Sequence, residues 1–433
     1  MIETMLKNNP IYSKGKARGE LLALFGIIFV AIIVRVGCFL YYQANSEIQI
    51  FEYELVAENM ILGKGFMYET LNTVQRAGVA PLYPALCALA YILFGHHHAL
   101  TIILQIAFSA ATCVVLFFLA KRFCDLKCAY LATTFAALHP ASIVYSSTKL
   151  HPIAFYSFLI CSSVLLLVIC SDDCKIRYKV LLGLCTGFCV LERAMFLPFF
   201  ILAWFWLYFF SRNREEAKKI ILISIVSVVI IVSPWVVRNT IVFKRPVFIQ
   251  SNQWWGFWLG NNPQSSGTAT VALGMSGVEA SPEAFRQKLL SLDEAGQTDL
   301  FRATAFDYIR QYPYRFIGRT AKKFYYFWWF SPQSGLRYPA SYLKWYRMYY
   351  SIILPVSIIG IVLAMGISKY RPIAVLMLLL FSSYSLLHSF YFIDGRHRCS
   401  IEQLLLVCFS FGVFQILSRL HILRPKSVQE HKL

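Results

Sequence analysis

The sequence predicts an all-α polytopic integral membrane protein of about 10 spans, within a range of about 10–12. Three observations predict it. The chain is 58% hydrophobic, with a mean hydropathy of +0.57. Only 15% of its 433 residues are charged, against about a quarter in soluble domains. Its apolar residues come in runs of about 20, the length that crosses a bilayer as helix. Helices are the low-energy way for such runs to satisfy their backbone in lipid.

The first run, 20–43, is long, contains Arg35 and is followed by no small-residue cleavage site. It reads as a span rather than a cleaved leader. Further spans are expected at 81–95, 98–120, 127–147, 150–170, 180–210, 219–240, 347–368, 373–391 and 400–418. Lys14, Lys16 and Arg18 place the N-terminus in the cytoplasm. Alternation then puts 211–219, 369–371 and the tail with Arg419, Arg424 and Lys426 inside. It puts 44–80, 240–346 and 392–399 outside. Two loops run against the positive-inside bias in this count: Lys121, Arg122 and Lys127 fall outside, as do Lys175, Arg177 and Lys179. An extra or missing span within 98–210 would account for both. Glu192-Arg193 interrupts 180–210, which leaves room for two short helices there.

The expected organisation is an N-terminal transmembrane module (1–240) with an outer loop at 44–80. An outer subdomain (241–346) and C-terminal helices with a basic tail (347–433) follow. Net charge is +19, but the basic residues cluster beside spans, so nucleic acid is not an expected partner. Most of the twelve cysteines fall in spans, where apolar packing is the expectation. No P-loop or G-x-G-x-x-G fingerprint is present, and no metal site is expected. His96-His97-His98 reads as a wet turn on the cytoplasmic side.

Chemistry-bearing residues gather at the predicted outer surface. The first loop carries Glu47, Glu52, Glu54, Glu58 and Glu69, and carboxylates beside a bilayer are costly unless used or paired. Tyr53, Val56, Ala57, Met60 and Ile61 share one helical face. Glu54 and Glu58 then lie on the opposite, wetter face, and Glu52 at the boundary is the leading catalytic candidate, ahead of Glu54. Pro234 is expected to end its helix, after which Arg238 emerges, suited to phosphate by its guanidinium geometry. Arg396-His397-Arg398 places two arginines and a histidine on the outer side, against the usual bias, and so points to an anionic partner. Tyr312 to Phe330 reads as a helix at headgroup level, with Pro313 in its first turn.

Taken in order, several motifs resemble one family. They are E-Y-x-x-x-A-x-N-x-x-x-G-K-G-F from Glu52, P-L-Y-P at 81–84, G-L-C-T-G-F-C-V-L-E-R at 183–193, P-W-V-V-R-N at 234–239, L-G-N-N-P-x-x-S-G-T at 259–268 and R-H-R-C-S-I-E at 396–402. The chain resembles C-type membrane glycosyltransferases, specifically the bacterial relatives of protein O-mannosyltransferases and the lipid A aminoarabinose transferase. The resemblance implies the C-type glycosyltransferase fold in a bacterial inner membrane, with cytoplasmic termini and an extracytoplasmic active site. It implies inverting transfer of a hexose or pentose from a polyprenyl-phosphate donor to a protein, lipid or glycan acceptor, and leaves divalent metal open.

It also implies residue roles. Glu52, with Glu54 second, would act as base. Arg76, Arg238, Arg396 and Arg398 would hold the donor phosphate. Tyr53, Tyr83, Asn239, Asn261 and His397 would contact substrate. The chain departs from the family at two points. The positions of the usual first-loop Asp are Gln49 and Ile50, and the Lys of a Lys-Pro-Pro motif is Ala80. A transporter or flippase of a lipid-linked substrate, or an inactive prenyl-phosphate-binding relative, are the alternative readings.

Overall fold

The computed structural model describes residues 14–172, 174–271, 274–335 and 340–420. Arg424 and Lys426 lie outside them. The described chain is a bundle of seventeen α-helices with one two-stranded ribbon. Seven helices are long and apolar enough to cross a membrane: α1 (Lys14–Asn45), α4 (His98–Phe123), α7 (Ile153–Cys170), α10 (Arg214–Phe243), α15 (Ala340–Met365), α16 (Arg371–Phe390) and α17 (Gly395–Arg419). The core runs through α7 and α17, where nearly every side chain is buried up to Gly412. Two glycines permit this: a Cβ on Gly360 would lie 2.1 Å from the Cys408 carbonyl oxygen, and one on Gly412 2.5 Å from that of Val356. Small residues let membrane helices approach backbone to backbone.

Two apolar runs are broken, the first where Glu192-Arg193 suggests it and the second within 127–147, expected as one span. The 180–210 run divides into α8 (Ile176–Glu192) and α9 (Leu197–Phe210), with Arg193 extended at the junction (φ −150°, ψ 106°). The 127–147 run divides at His139-Pro140 into α5 (Leu126–Ala137) and α6 (Pro140–Ser147). Pro234 behaves otherwise. It sits inside α10, which runs on to Phe243 and ends where Lys244 turns left-handed (φ 55°). The helix passes through because neighbouring turns and helices absorb one missing donor in a tightly packed bundle.

Contacts sort the helix ends to two poles. At one pole Gln49 exchanges backbone hydrogen bonds with Thr148 and Leu150. There the Arg238 guanidinium donates to the carbonyls of Arg76 and Phe66. At the other pole Lys121 pairs with Glu20 at 2.9 Å, and Arg122 and Arg212 flank Asp172.

These contacts overturn one expected span. The helix α3 (Leu82–Phe94) begins at the first-loop pole, where the Tyr83 amide donates to Glu192 and its ring meets Tyr53 edge-on. It also ends there, because His98, the first residue of α4, lies 3.3 Å from Glu54 of α2 (Glu52–Ile61). The far end of α4 packs Phe123 against Tyr370 at the opposite pole. Segment 81–95 is therefore a helix laid along α2, not a crossing, and His96-His97-His98 lies beside the first loop.

The first loop continues from α2 through the ribbon β1 (Tyr68–Thr70) and β2 (Thr73–Gln75) to α3. Four helices pack at the same pole: α11 (Gln253–Gly260), α12 (Glu283–Leu290), α13 (Glu294–Gln311) and α14 (Pro313–Trp328). Glu294 ties them to the first loop by accepting from the amides of Arg76 and Ala77 and from the Ser251 hydroxyl. The α14 helix starts at Pro313, as expected, and turns Tyr314, Ile317 and Tyr325 outward while burying Lys323 and Phe327.

Candidate active site

A cavity of about 420 Å³ opens at the first-loop pole. Tyr53 of α2, Glu192-Arg193 at the α8–α9 junction, His388 of α16, and Arg396 and His397 of α17 line it, closed on one side by Trp255 of α11. The local fold explains each position. Arg193 faces the cavity because the chain leaves helix there. Arg396 and His397 open α17, whose N-terminus is held by a capping box between Asp394 and His397. The positive end of that helix adds to the two guanidinium groups.

The electrostatics are one-sided. Arg396 has a carboxylate partner, Asp394, at 3.3 Å. Among the described residues no carboxylate forms an ion pair with Arg193, whose guanidinium lies over the Tyr156 ring. Burial raises the Tyr53 phenol pKa, opposed by Arg193 and Arg396. Burial, with Arg396, Arg193 and Lys149, pushes His151 well below its ordinary value, so this histidine is neutral. Glu52 is exposed, and its charge acts on Tyr53 and Arg396. Beside the cavity, Phe316, Ile317 and Phe324 of α14 form an apolar groove of about 450 Å³ with Leu386 and Phe390 of α16. The groove uses Leu386, Ser389 and Phe390 on one face of the last turns of α16, and the cavity uses Leu387, His388 and Tyr391 on the other.

Three of the eleven expected site residues, Tyr53, Arg396 and His397, line this cavity. The remaining phosphate-binding arginines do not. Arg398 faces the interior: its Nε donates to Glu402 at 2.7 Å, its other nitrogens reach the Phe327 carbonyl and the Tyr346 hydroxyl, and its plane stacks on Tyr350. Arg238 spends its donors on backbone carbonyls and Asn239 and packs on Trp235 and Phe66. Arg76 is exposed and off the cavity.

Asn239 and Asn261 are fully buried, donate to backbone carbonyls and do not line the cavity. Tyr83 is buried, with its hydroxyl on Gln105. Glu54 is not on a wet face: α3 and the 95–98 turn cover it, and Tyr91 donates to its carboxylate at 2.7 Å. Reading residue types missed Arg193, Glu192 and His388. The charged pair inside an apolar run was the available signal for the first two.

The groups with metal-ligand spacing among the described residues are Glu54–Glu58–His96–His98 and Cys124–Asp125–Cys128. Neither lines the cavity.

The architecture defines the class: an all-α polytopic membrane protein with the C-type glycosyltransferase fold. Residues 78–237 match the family model described as dolichyl-phosphate-mannose-protein mannosyltransferase. The apo oligosaccharyltransferase of Archaeoglobus fulgidus superposes with a TM-score of 0.60 at 12% identity, over 95% of this chain and 52% of that one. The same enzyme, AglB, with an inhibitory peptide and a dolichol-phosphate, gives 0.57 at 11% identity, over 95% and 52%. ArnT from Cupriavidus metallidurans bound to undecaprenyl phosphate gives 0.43 at 10% identity, over 96% and 82%. The chain thus spans about half the length of the archaeal enzyme. No curated protein matches it.

Proposed function

We propose that the chain is an inverting glycosyltransferase that takes a sugar from a polyprenyl-phosphate donor. The observation that carries this reading is a cavity lined by two arginines, Arg193 and Arg396, of which Arg193 forms no ion pair with a carboxylate among the described residues. Two guanidinium groups suit the anionic head of a prenyl-linked donor. The phosphate sits between Arg193 and Arg396, with the α17 N-terminus behind it. The prenyl chain lies against α14 and α16. Glu52 is exposed on α2 outside the cavity lining, next to Tyr53, and its charge acts on Tyr53 and Arg396. It accepts the proton of the acceptor hydroxyl or amine as it attacks the anomeric carbon. The bond to the phosphate oxygen breaks with inversion, and the arginines stabilise the charge gathering on the leaving phosphate. Glu192 orients the wall of the cavity through the Tyr83 amide.

The proposed membrane arrangement has ten crossings: α1, α4, α5 with α6, α7, α8, α9, α10, α15, α16 and α17. Moving 81–95 out of the membrane and dividing 180–210 restores the same total. It also brings Lys121, Arg122, Lys127, Lys175, Arg177 and Lys179 to the pole of Arg18, as the positive-inside bias requires. The cavity then faces outward, in keeping with the bacterial inner-membrane placement. A transporter would need free charged groups near the bilayer centre, and Arg35, one of the few in the spans, is tied to Ser109, Ser142 and the carbonyls of Ala31 and Ala137.

The test is release of polyprenyl phosphate from extracted lipid-linked sugars by the protein in vesicles. Wild type releases it, and Glu52→Gln and Arg193→Ala each slow release at least tenfold. Wild-type rates in both variants would sink the site, and donor movement across the vesicle without release would sink the reaction. Sugar and acceptor follow from mass spectrometry of surface glycans with and without the protein.

A further inference from the structure

We propose a divalent-cation site, best suited to zinc, that staples α2 to the start of α4. Its ligands are Glu54 and Glu58, one turn apart on α2, and His96 and His98 from the turn after α3. The four ligand atoms lie within 4.8 Å of one another. The His96 Nε2 atom is 3.2 Å from Glu54 Oε1 and 3.3 Å from Glu58 Oε1, and the His98 Nε2 atom is 3.3 Å from Glu54 Oε1. Two ligands about 2.0–2.1 Å from one zinc, at the tetrahedral angle, stand about 3.3–3.4 Å apart. Three of the pairs stand close to that separation, the His96–Glu54 pair also within hydrogen-bond reach.

A second observation points to a ligand. The Nε2 atom of His98 is buried and makes no hydrogen bond, despite its closeness to Glu54. A buried ring nitrogen with no hydrogen bond is costly, and a cation shared with the Glu54 carboxylate 3.3 Å away would satisfy it. The surroundings also suit a metal. Tyr91 donates to both carboxylate oxygens of Glu54 and accepts from Thr101 at 2.9 Å, which fixes the carboxylate's orientation. Gly95, at φ 86°, makes the turn that brings both histidines back to α2. The mixed nitrogen and oxygen set favours zinc over magnesium or calcium.

The site is off the cavity, so the cation touches no reactant. It would hold together the two helices that carry Tyr53 and Tyr83, and with them one wall of the cavity. The experiment uses full-length protein in detergent, without a polyhistidine tag, freed of metal on a chelating resin and titrated with zinc chloride alone. One zinc binds per chain, and X-ray absorption reports two imidazoles with oxygen ligands at about 2.0 Å and no sulfur. His96→Ala and His98→Ala each weaken binding at least a hundredfold. Zinc raises the Tm of the wild type and leaves that of the double variant unmoved. Absence of binding in the wild type would overturn the site, as would sulfur in its X-ray absorption spectrum or equal affinity in a folded double variant. Because the spectrum is taken on the wild type, a variant that does not fold leaves the test intact.

Discussion

Arg398 and Glu402 form a buried ion pair one turn apart on α17, with Nε and Oε1 at 2.7 Å and both side chains almost fully enclosed. Tyr346 and His139 complete the carboxylate's shell, at 2.6 and 3.3 Å. The pair therefore joins α17 to α15 and to the α5–α6 break. Arg396, two residues earlier, faces the cavity instead. Helical geometry alone divides the two arginines between structure and site.

Removing Arg398 leaves Glu402 uncompensated in the core. Arg398→Ala should cost about 3–5 kcal/mol, the usual penalty for breaking one side of a buried pair. Thermal unfolding in detergent and the monodisperse fraction on size exclusion check this. Arg398→Lys should fall between, keeping the charge but losing the planar contacts to Phe327 and Tyr346.

The arginines should also separate by donor affinity. Arg396→Ala and Arg193→Ala should each weaken polyprenyl-phosphate binding about 10–100-fold, the range for losing a charge-assisted contact of about 1.5–3 kcal/mol. Arg76→Ala should change it little. Binding measured by native mass spectrometry or thermophoresis orders the variants.

Lys323 makes a pH signature. Its ammonium sits among the carbonyl oxygens of Gly260 and Phe390 and the Asn261 side chain. Burial, with Arg319 adding repulsion, pushes it down to about 7. The unfolded chain keeps that proton to about 10.4. Between these values the unfolded state binds more protons, so stability rises with pH. Below about 7 the folded state also binds the proton, and the slope from this group vanishes. Lys323→Met should flatten the rise in Tm between about pH 7 and 10. An unchanged slope would mean that the amine is not held this way.

Gly360 and Gly412 should tolerate no side chain. Gly360→Ala places a Cβ against backbone that cannot rotate away, so it should destabilise by about 1–3 kcal/mol. Gly318, whose Cβ would meet nothing within 4 Å, is the control and should change little.

The membrane class and the helix break at Arg193 were legible because hydropathy and an interrupting charged pair are local signals. The α14 helix was legible too, from Pro313 and its aromatic face. The course of Leu82–Phe94 along α2 was not. Its 13 residues are as apolar as a span, and only the return of His98 to Glu54 places both its ends at one pole. The same contact buried Glu54, which periodicity alone put in water.

By itself, the sequence determined a bundle of membrane helices with cationic and acidic groups near their ends. Tertiary structure decided which of those groups share a cavity. Arg193 and Arg396 lie about 200 residues apart in sequence. Their meeting depends on how α8, α9 and α17 pack, which no local pattern encodes.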